Sequence, residues 1–239
     1  MSGHSHFKTV KATKDANDAK KGKIFSKLGK VITISAKEGG KDPLINYKLK
    51  TLIEKAREFN MPKENIERAI KKGAGELAGE ILESISIEGF GPGGVALIIE
   101  GITDNKNRAL NEIKNILNKY QGKMAGEGAV KWMFDRKGII AIELQNNQKE
   151  ELELLAIEFG AEDVIQEDNF LYIHTKPEDL EKIKKLLEDK GVKIESSLLG
   201  WIAKEDVSLN EKEKESCQKL FEALDENDDV QEIYSNLKD

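Results

Sequence analysis

GIIAIELQNNQKEELELLAIEFGAEDVIQEDNFLYIH, residues 138–174, contains three short runs that predict β-strands. Each run is rich in aliphatic or aromatic residues and is bounded by polar or turn-forming residues, a pattern typical of strands. The three predicted strands are residues 139–144, 161–166 and 170–174.

Two amphipathic segments complete this region. Apolar residues recur at helical spacing from Leu152 to Phe159, and Gly160 predicts the end of that helix. A second helix opens at Pro177, includes Ile183 and Leu187, and ends at Gly191, after which Val192 begins another strand. The resulting order, βαββαβ, predicts a ferredoxin-like domain over residues 138–203.

The segment before this domain predicts a second mixed domain. Strand-like alternation at Ile85 and Ile87, a Gly-rich turn at residues 89–94 and an apolar run from Val95 to Ile99 predict a β-hairpin. A helix from Leu110 to Tyr120 and a strand at Val130–Phe134 follow.

The last segment consists of one helix around residues 217–224 and one strand at Val230–Tyr234. Such a pair is too small to bury a core of its own, so we expect it to return to the sheet that begins at residue 84. The sequence therefore predicts a discontinuous α/β domain formed by residues 80–137 plus 204–239.

The first third of the chain predicts helices only. A basic arm, residues 1–14, precedes a helix from Ala16 to Glu38. Asp42-Pro43 predicts the N-cap and first turn of a second helix, and Pro62 opens a third. The predicted fold class is therefore α+β: a three-helix domain, residues 1–75, followed by two α/β sandwich domains, at least one of them ferredoxin-like.

Charge is divided unevenly between these regions. Residues 1–75 contain 18 Lys and Arg against 8 Asp and Glu, a net charge of +10, whereas the remaining residues contain 20 basic and 36 acidic side chains, net −16. Such asymmetry predicts a polyanion-binding domain attached to acidic domains. Uneven charge on an ordinary soluble protein is the alternative.

The first helix separates its lysines from its apolar residues. At about 100° per residue, Phe25, Leu28 and Ile32 share one side, and a set of four lysines lies on the other. We call Lys20, Lys23, Lys27 and Lys30 the lysine arc. Ile34 interrupts its side of the helix. The arc predicts a phosphate-binding face, with a solvated charged face as the alternative.

The candidate nucleic-acid-binding residues are the cations of the arm, the first helix and the third helix. They are Lys8, Lys11, Lys14, Lys20, Lys21, Lys23, Lys27, Lys30, Lys63, Arg68, Lys71 and Lys72. Only two arginines and few exposed-looking aromatics accompany them, which favours backbone and shape recognition over base reading. The second and third helices fit a helix-turn-helix around Phe59–Met61 or a plain bundle equally well.

Other chemistries lack the residues they need. The match Gly89-x-Gly91-x-x-Gly94 leads into a strand-like run rather than a helix, which disfavours a dinucleotide site. Three histidines and one cysteine, Cys217, give no metal site or catalytic constellation, and Cys217 lies on an apolar stripe. We therefore expect no enzyme activity, cofactor or metal, no membrane partner, and a cytoplasmic location.

Several long motifs resemble the YebC/PmpR family. They are Gly3-His4-Ser5, DAKKGKIFSKL (18–28), NMPKENIERAIKKGAG (60–75), EGFGPGGVALIIEGITDNKNR (88–108) and WMFDRKG (132–138). The resemblance implies three domains, with two α/β domains around a cleft, and a probable DNA-binding transcriptional regulator. Translational activators in a mitochondrial branch imply the alternative, a ribosome-associated translation factor that binds ribosomal RNA. The chain departs from the family pattern at His6-Phe7, where Lys-Trp is common.

Overall fold

The computed structural model describes residues 18–79, 81–144 and 148–238, with backbone only for residues 18–20. Within them it has seven α-helices and eight β-strands. In chain order these are α1 Asp18–Gly39, α2 Tyr47–Glu58, α3 Lys63–Gly73, β1 Glu83–Phe90, β2 Ala96–Thr103, α4 Lys106–Lys119, β3 Lys123–Met124, β4 Phe134–Glu143, α5 Lys149–Glu158, β5 Asp163–Glu167, β6 Phe170–Thr175, α6 Leu180–Asp189, β7 Ser196–Ala203, α7 Glu211–Asp225 and β8 Val230–Ser235. The predicted arm, residues 1–14, lies outside the described residues.

Helices α1, α2 and α3 enclose one apolar core, as predicted. Leu28, Ile32 and Leu49 are buried there, and Phe25 packs against them from a half-buried position. Close contact between α1 and α3 depends on Gly73, where an added Cβ would lie 2.2 Å from the Thr33 carbonyl oxygen. Burial of this shared stripe is what holds three short helices together.

The predicted start of the second helix is wrong by one turn. The Asp42 side chain accepts a hydrogen bond from the Leu44 amide at 2.9 Å and so caps a tight turn, not the helix. Asn46 is the N-cap, and its Oδ1 accepts from the Leu49 amide at 3.0 Å. Helix α2 therefore begins at Tyr47, and residues 40–46 form a connecting loop.

The first sheet has strand order β3-β1-β2-β8, with all neighbouring strands antiparallel. Strand β8 pairs with β2, which confirms that the C-terminal helix and strand return to the sheet begun near residue 84. Helices α4 and α7 contribute Ile113, Leu117 and Leu220 to its core. The connection between β1 and β2 is a hairpin whose turn uses positive φ at Gly93 and Gly94, as the Gly-rich segment predicts.

The second sheet has strand order β5-β6-β4-β7, also antiparallel throughout. With α5 after β4 and α6 after β6, this is the ferredoxin-like arrangement, as predicted. The predicted strand at Val130–Phe134 is wrong: Lys131–Met133 form a 3-10 turn, and β4 begins at Phe134. The amides of Val130 and Lys131 are held by the Glu88 carboxylate, so they cannot join a β-ladder.

The chain divides into two compact units. Residues 1–131 and 206–239 form the first, which contains the three helices and the first sheet, and residues 132–205 form the second. None of the helices in the described parts of the chain is long and apolar enough to cross a membrane.

Candidate nucleic-acid interface

The predicted binding residues fall into three groups in the structure. Lys8, Lys11 and Lys14 lie outside the described residues, and Lys20 is described by its backbone alone. Lys21, Lys23, Lys27 and Lys30 lie on α1, and Lys63, Arg68, Lys71 and Lys72 lie on α3. All of the described candidates belong to the first unit.

Lys27 in the lysine arc is buried, with 6% of its surface exposed. Its ammonium donates to the Asp225 carboxylate at 2.9 Å and to the Asp225 carbonyl oxygen at 2.7 Å. Asp225 is the last residue of α7. A buried ammonium needs such a partner, because desolvating an isolated charge costs several kcal/mol.

Lys23 and Lys30, one turn to either side, repeat this arrangement. Lys23 pairs with the Glu226 carboxylate, and its ammonium also reaches the Glu226 carbonyl oxygen at 3.3 Å. Lys30 lies 2.5 Å from Asp229 Oδ1 and donates to the Asp228 carbonyl oxygen at 3.0 Å. We call residues 225–229 the acidic segment.

Helix chemistry explains why lysines gather at the acidic segment. The last carbonyl groups of an α-helix lack intrahelical partners, and the helix dipole places partial negative charge there. Helix α7 has no basic residue in its last turn and ends directly in DENDD, residues 225–229. The lysines of α1 therefore supply from another helix the cations that the last turn of α7 lacks.

Asp229 joins this contact to the sheet. Its carboxylate, 3% exposed, accepts from Lys30, from the Arg108 guanidinium at 2.8 Å and from the Thr103 hydroxyl at 3.0 Å. Burial alone would raise the pKa of Asp229, but the hydrogen bonds from Lys30 and Arg108 outweigh it and hold the pKa below its ordinary value. Asp229 is therefore ionised at neutral pH and binds two cations at once.

Three members of the lysine arc, Lys23, Lys27 and Lys30, thus form neither a bare phosphate-binding face nor a merely solvated one. Ile34, which interrupts the arc in the sequence, is buried, and α1 packs against β2. The assignment of Lys23, Lys27 and Lys30 to nucleic-acid binding stays a prediction. It now requires that a polyanion displace carboxylates that already occupy the three ammonium groups.

The cations of α3 remain exposed. Arg68, Lys71 and Lys72 are exposed, and Lys71 and Lys72 lie in the last turn, where the helix dipole favours positive charge. Among the described residues, none of these three side chains forms an ion pair within 4.0 Å. Lys63 is 86% exposed and pairs with Glu67, one turn along the same helix. Such a surface can accept phosphates without first breaking a buried contact.

Groups that would suggest catalysis are buried instead. Burial raises the pKa of the Cys217 thiol to about 11, so the reactive thiolate is scarce at neutral pH. Burial also lowers the pKa of His174, which lies in β6 and is 8% exposed. No cluster of three metal-binding side chains occurs in residues 18–79, 81–144 and 148–238. The buried position of Cys217 confirms the prediction made from its apolar stripe.

Sequence reasoning missed two features of the first unit. The acidic segment is visible as the run DENDD, but nothing in a linear sequence indicates that it faces the lysine arc. Leu44 and Ile45, in the loop before α2, are 84% and 80% exposed. A helix that starts at Asp42 would include both residues, and single exposed aliphatic side chains on a helix do not indicate a binding surface.

Comparison with known proteins places this architecture in a family. The family model for the TACO1/YebC protein N-terminal domain matches residues 5–76, and that for the TACO1/YebC second and third domain matches residues 82–237. Two relatives, each named "Probable transcriptional regulatory protein", are 46% identical over 240 residues (Halothermothrix orenii) and 45% over 237 (Trichlorobacter lovleyi). These alignments cover 99% of this chain and 95% and 96% of the relatives.

A solved structure shows the same fold. The crystal structure of a conserved hypothetical protein from Aquifex aeolicus is 43% identical, with a TM-score of 0.86 over 92% of this chain and 91% of that one. Both the sequence motifs and the three-dimensional arrangement are therefore shared along nearly the whole length. The chain belongs to the TACO1/YebC family.

Proposed function

We propose that this chain is a non-enzymatic regulatory protein that binds duplex DNA through its basic helical domain. The observation that carries the proposal is the charge of that domain. Of the net +10 in residues 1–75, three charges are matched by the acidic segment, which leaves a net charge of +7 in this part of the sequence. This part includes the exposed cations of α3. Relatives named as probable transcriptional regulators support a role in transcription.

The chemistry of the cations favours backbone recognition. Lysine holds a phosphate as a point charge, whereas arginine reads guanine edges with two parallel hydrogen bonds. Residues 1–75 contain 16 lysines and two arginines. We therefore expect binding with a strong dependence on salt and a weak dependence on sequence.

The same lysine preference supports a second candidate, a translation factor that binds structured ribosomal RNA. Both partners present phosphates, so charge alone does not separate them. Weak base reading suits RNA recognised by its shape at least as well as a sequence-specific operator. Affinities for duplex DNA and for a structured RNA of equal length, measured at one salt concentration, distinguish the two functions.

The test uses the full chain and the exposed cations of α3. In fluorescence anisotropy titrations, Arg68→Ala/Lys71→Ala/Lys72→Ala should weaken binding and reduce the slope of log K against log salt by about 2–3, since each lost contact on duplex DNA contributes about 0.9. The matched control is Lys182→Ala/Lys185→Ala, which removes two exposed lysines from α6 of the second unit. It should leave the slope unchanged.

Two results would contradict the proposal. Equal loss from both variants would mean that binding is not localised in the helical domain. Absence of measurable binding to DNA and RNA by the unmodified chain at low salt would remove the function itself.

A further inference from the structure

The loop between α1 and α2 presents apolar side chains to solvent. Leu44 and Ile45, adjacent in sequence, are 84% and 80% exposed, and Tyr47 at the start of α2 is 55% exposed. We call residues 40–46 the apolar loop. Burying an aliphatic side chain of this size stabilises a protein, yet here two adjacent ones contribute nothing to the core. Adjacent exposed aliphatics of this kind mark an interaction surface more often than a lone one does.

The backbone that carries these side chains is tightly held. Asn46 is buried, and its side-chain amide donates to the carbonyl oxygens of Ser35 and Gly40, both at 2.8 Å. The backbone amides of Asn46 and Ile45 donate to the Asp42 carbonyl oxygen at 2.8 Å and 3.1 Å, respectively. The loop is therefore anchored at both ends by hydrogen bonds.

Two glycines make this anchoring possible. A Cβ on Gly39 would lie 2.7 Å from Asn46 Nδ2, and Gly40 adopts a positive φ of 86°. The local sequence thus uses a buried polar network to fix a turn whose tip is apolar. A rigid element loses little conformational entropy when it binds, so this construction favours insertion into a partner.

Cations surround the apolar loop. Residues 37–50 contain four lysines and two acidic residues. Lys48 lies 3.5 Å from Glu38, with both side chains about 60% exposed, and the Lys50 ammonium lies 5.6 Å from the centre of the Tyr47 ring. Lys41 pairs with Glu76, again on the surface. Exposed ion pairs of this kind contribute little to stability, so phosphates can replace the carboxylates readily.

From this combination we infer that the apolar loop inserts Leu44 and Ile45 against the nucleobases of duplex DNA while the neighbouring lysines hold the adjacent phosphates. The inference rests on the proposed nucleic-acid binding and adds a second mode of contact to it. Apolar wedges of Leu or Ile enter between base steps of a duplex, and unpaired bases offer the same apolar faces. A protein partner would also cover aliphatic side chains, but the excess of lysines around the loop favours a polyanion.

The experiment compares two probes that carry 2-aminopurine, whose fluorescence rises when the base is unstacked. One is a duplex DNA, and the other is an RNA hairpin with a single bulged base. Binding of the full chain should raise the fluorescence of the duplex probe. A rise confined to the RNA hairpin would overturn the assignment of the contacted base to duplex DNA. Leu44→Ser/Ile45→Ser should abolish the rise and weaken binding about tenfold or more, with an unchanged salt slope.

Matched variants separate this inference from the proposed function. Leu154→Ser/Ile157→Ser removes another largely exposed aliphatic pair, 69% and 63% exposed, from α5 of the second unit and should change neither readout. Arg68→Ala/Lys71→Ala/Lys72→Ala should lower the salt slope but keep the fluorescence rise in the complex. Circular dichroism should show that Leu44→Ser/Ile45→Ser remains folded, since neither side chain contributes to the core.

The outcomes are distinct. If the unmodified chain binds the probes without a fluorescence rise, or if Leu44→Ser/Ile45→Ser binds as tightly as the unmodified chain, the base contact is wrong and the proposed function stands. If the unmodified chain binds neither probe, both fail.

Discussion

Asp229→Asn tests whether the contact between the lysine arc and the acidic segment stabilises the first unit. Asparagine keeps the size of the side chain but removes its charge and replaces one acceptor oxygen by a donor. Lys30, Arg108 and Thr103 all direct hydrogen bonds to the Asp229 carboxylate. At least one of them must lose its partner in the variant.

The structure sets the size of the effect. Removing one member of a fully buried ion pair costs about 3–5 kcal/mol, because the other charge remains without a partner. Here the Lys30 and Arg108 side chains are 19% and 44% exposed, so both recover part of their hydration. We therefore expect a loss of about 2–3 kcal/mol in the free energy of unfolding of the first unit.

The loss should depend on pH. The folded-state pKa of Asp229 lies below its ordinary value, so this carboxylate contributes stability that is fully present above the unfolded pKa of about 3.9. The contribution is lost as the pH falls through the folded pKa. The difference between the unmodified chain and Asp229→Asn should therefore be largest near neutral pH and shrink below about pH 4.

Urea denaturation can assign the loss to one unit. Both tryptophans, Trp132 and Trp201, lie in the second unit, whereas far-UV circular dichroism also follows the helices of the first. With an m-value of about 1–3 kcal/mol per molar urea, a loss of this size shifts the dichroism midpoint by about 1 M. The tryptophan midpoint should move much less, because the contacts described for Asp229 lie within the first unit.

Asp228→Asn is the matched control, since it removes one acidic charge next to Asp229 from an exposed side chain. Its free energy of unfolding should change by less than about 0.5 kcal/mol. Equal effects of the two variants would mean that general charge, not the specific contact, matters. A dichroism midpoint unmoved by Asp229→Asn at pH 7 would refute the stabilising role of the contact.

Three further predictions concern buried groups of the described chain. Glu88→Gln should destabilise the first unit by about 2 kcal/mol, because the Glu88 carboxylate accepts from the amides of Gly128, Val130 and Lys131 at 2.6–2.9 Å, and urea titration measures the loss. Cys217 should react with a thiol reagent at neutral pH only after unfolding, because its pKa is about 11; rapid labelling of the native protein would contradict its burial. His174→Ala should reduce stability, because it leaves a cavity next to β6, but should not change the affinity for DNA or RNA. A folded variant that has lost affinity would indicate a functional role for His174.

Most of the fold could be predicted because it depends on local patterns. The order of strands and helices in the second unit follows from hydrophobic period and from Gly and Pro positions, and the right topology follows from that order. The return of β8 to the first sheet was predictable for a different reason, since an isolated helix and strand cannot bury a core. Element starts were harder: at residues 42–46 two adequate caps compete, and only the contacts of Asn46 with α1 select the second.

For the candidate site, the sequence predicts which residues are charged but not which residues they contact. The sequence identifies the lysine arc correctly as a charged side of α1, but the partner of that side lies about 200 residues away in the acidic segment. One local sign existed. Ile34 lies among the arc positions, and an aliphatic residue on an otherwise charged side indicates that part of this side is covered. The rule that buried lysines are paired then requires an acidic partner, without naming it.

Paired lysines change what nucleic-acid binding by the arc would involve. The three ammonium groups already meet carboxylate and carbonyl oxygens at 2.5–3.3 Å, the same kind of ligand that a phosphate backbone offers. A polyanion on the arc would exchange one set of oxygens for another and would remove the lysine partners of Asp225, Glu226 and Asp229, although Asp229 would keep Arg108. The net gain would come mainly from counterions released by the polyanion, so it would fall steeply with salt. The exposed cations of α3 carry no such exchange cost, and for this reason they are the better first contact for a phosphate backbone.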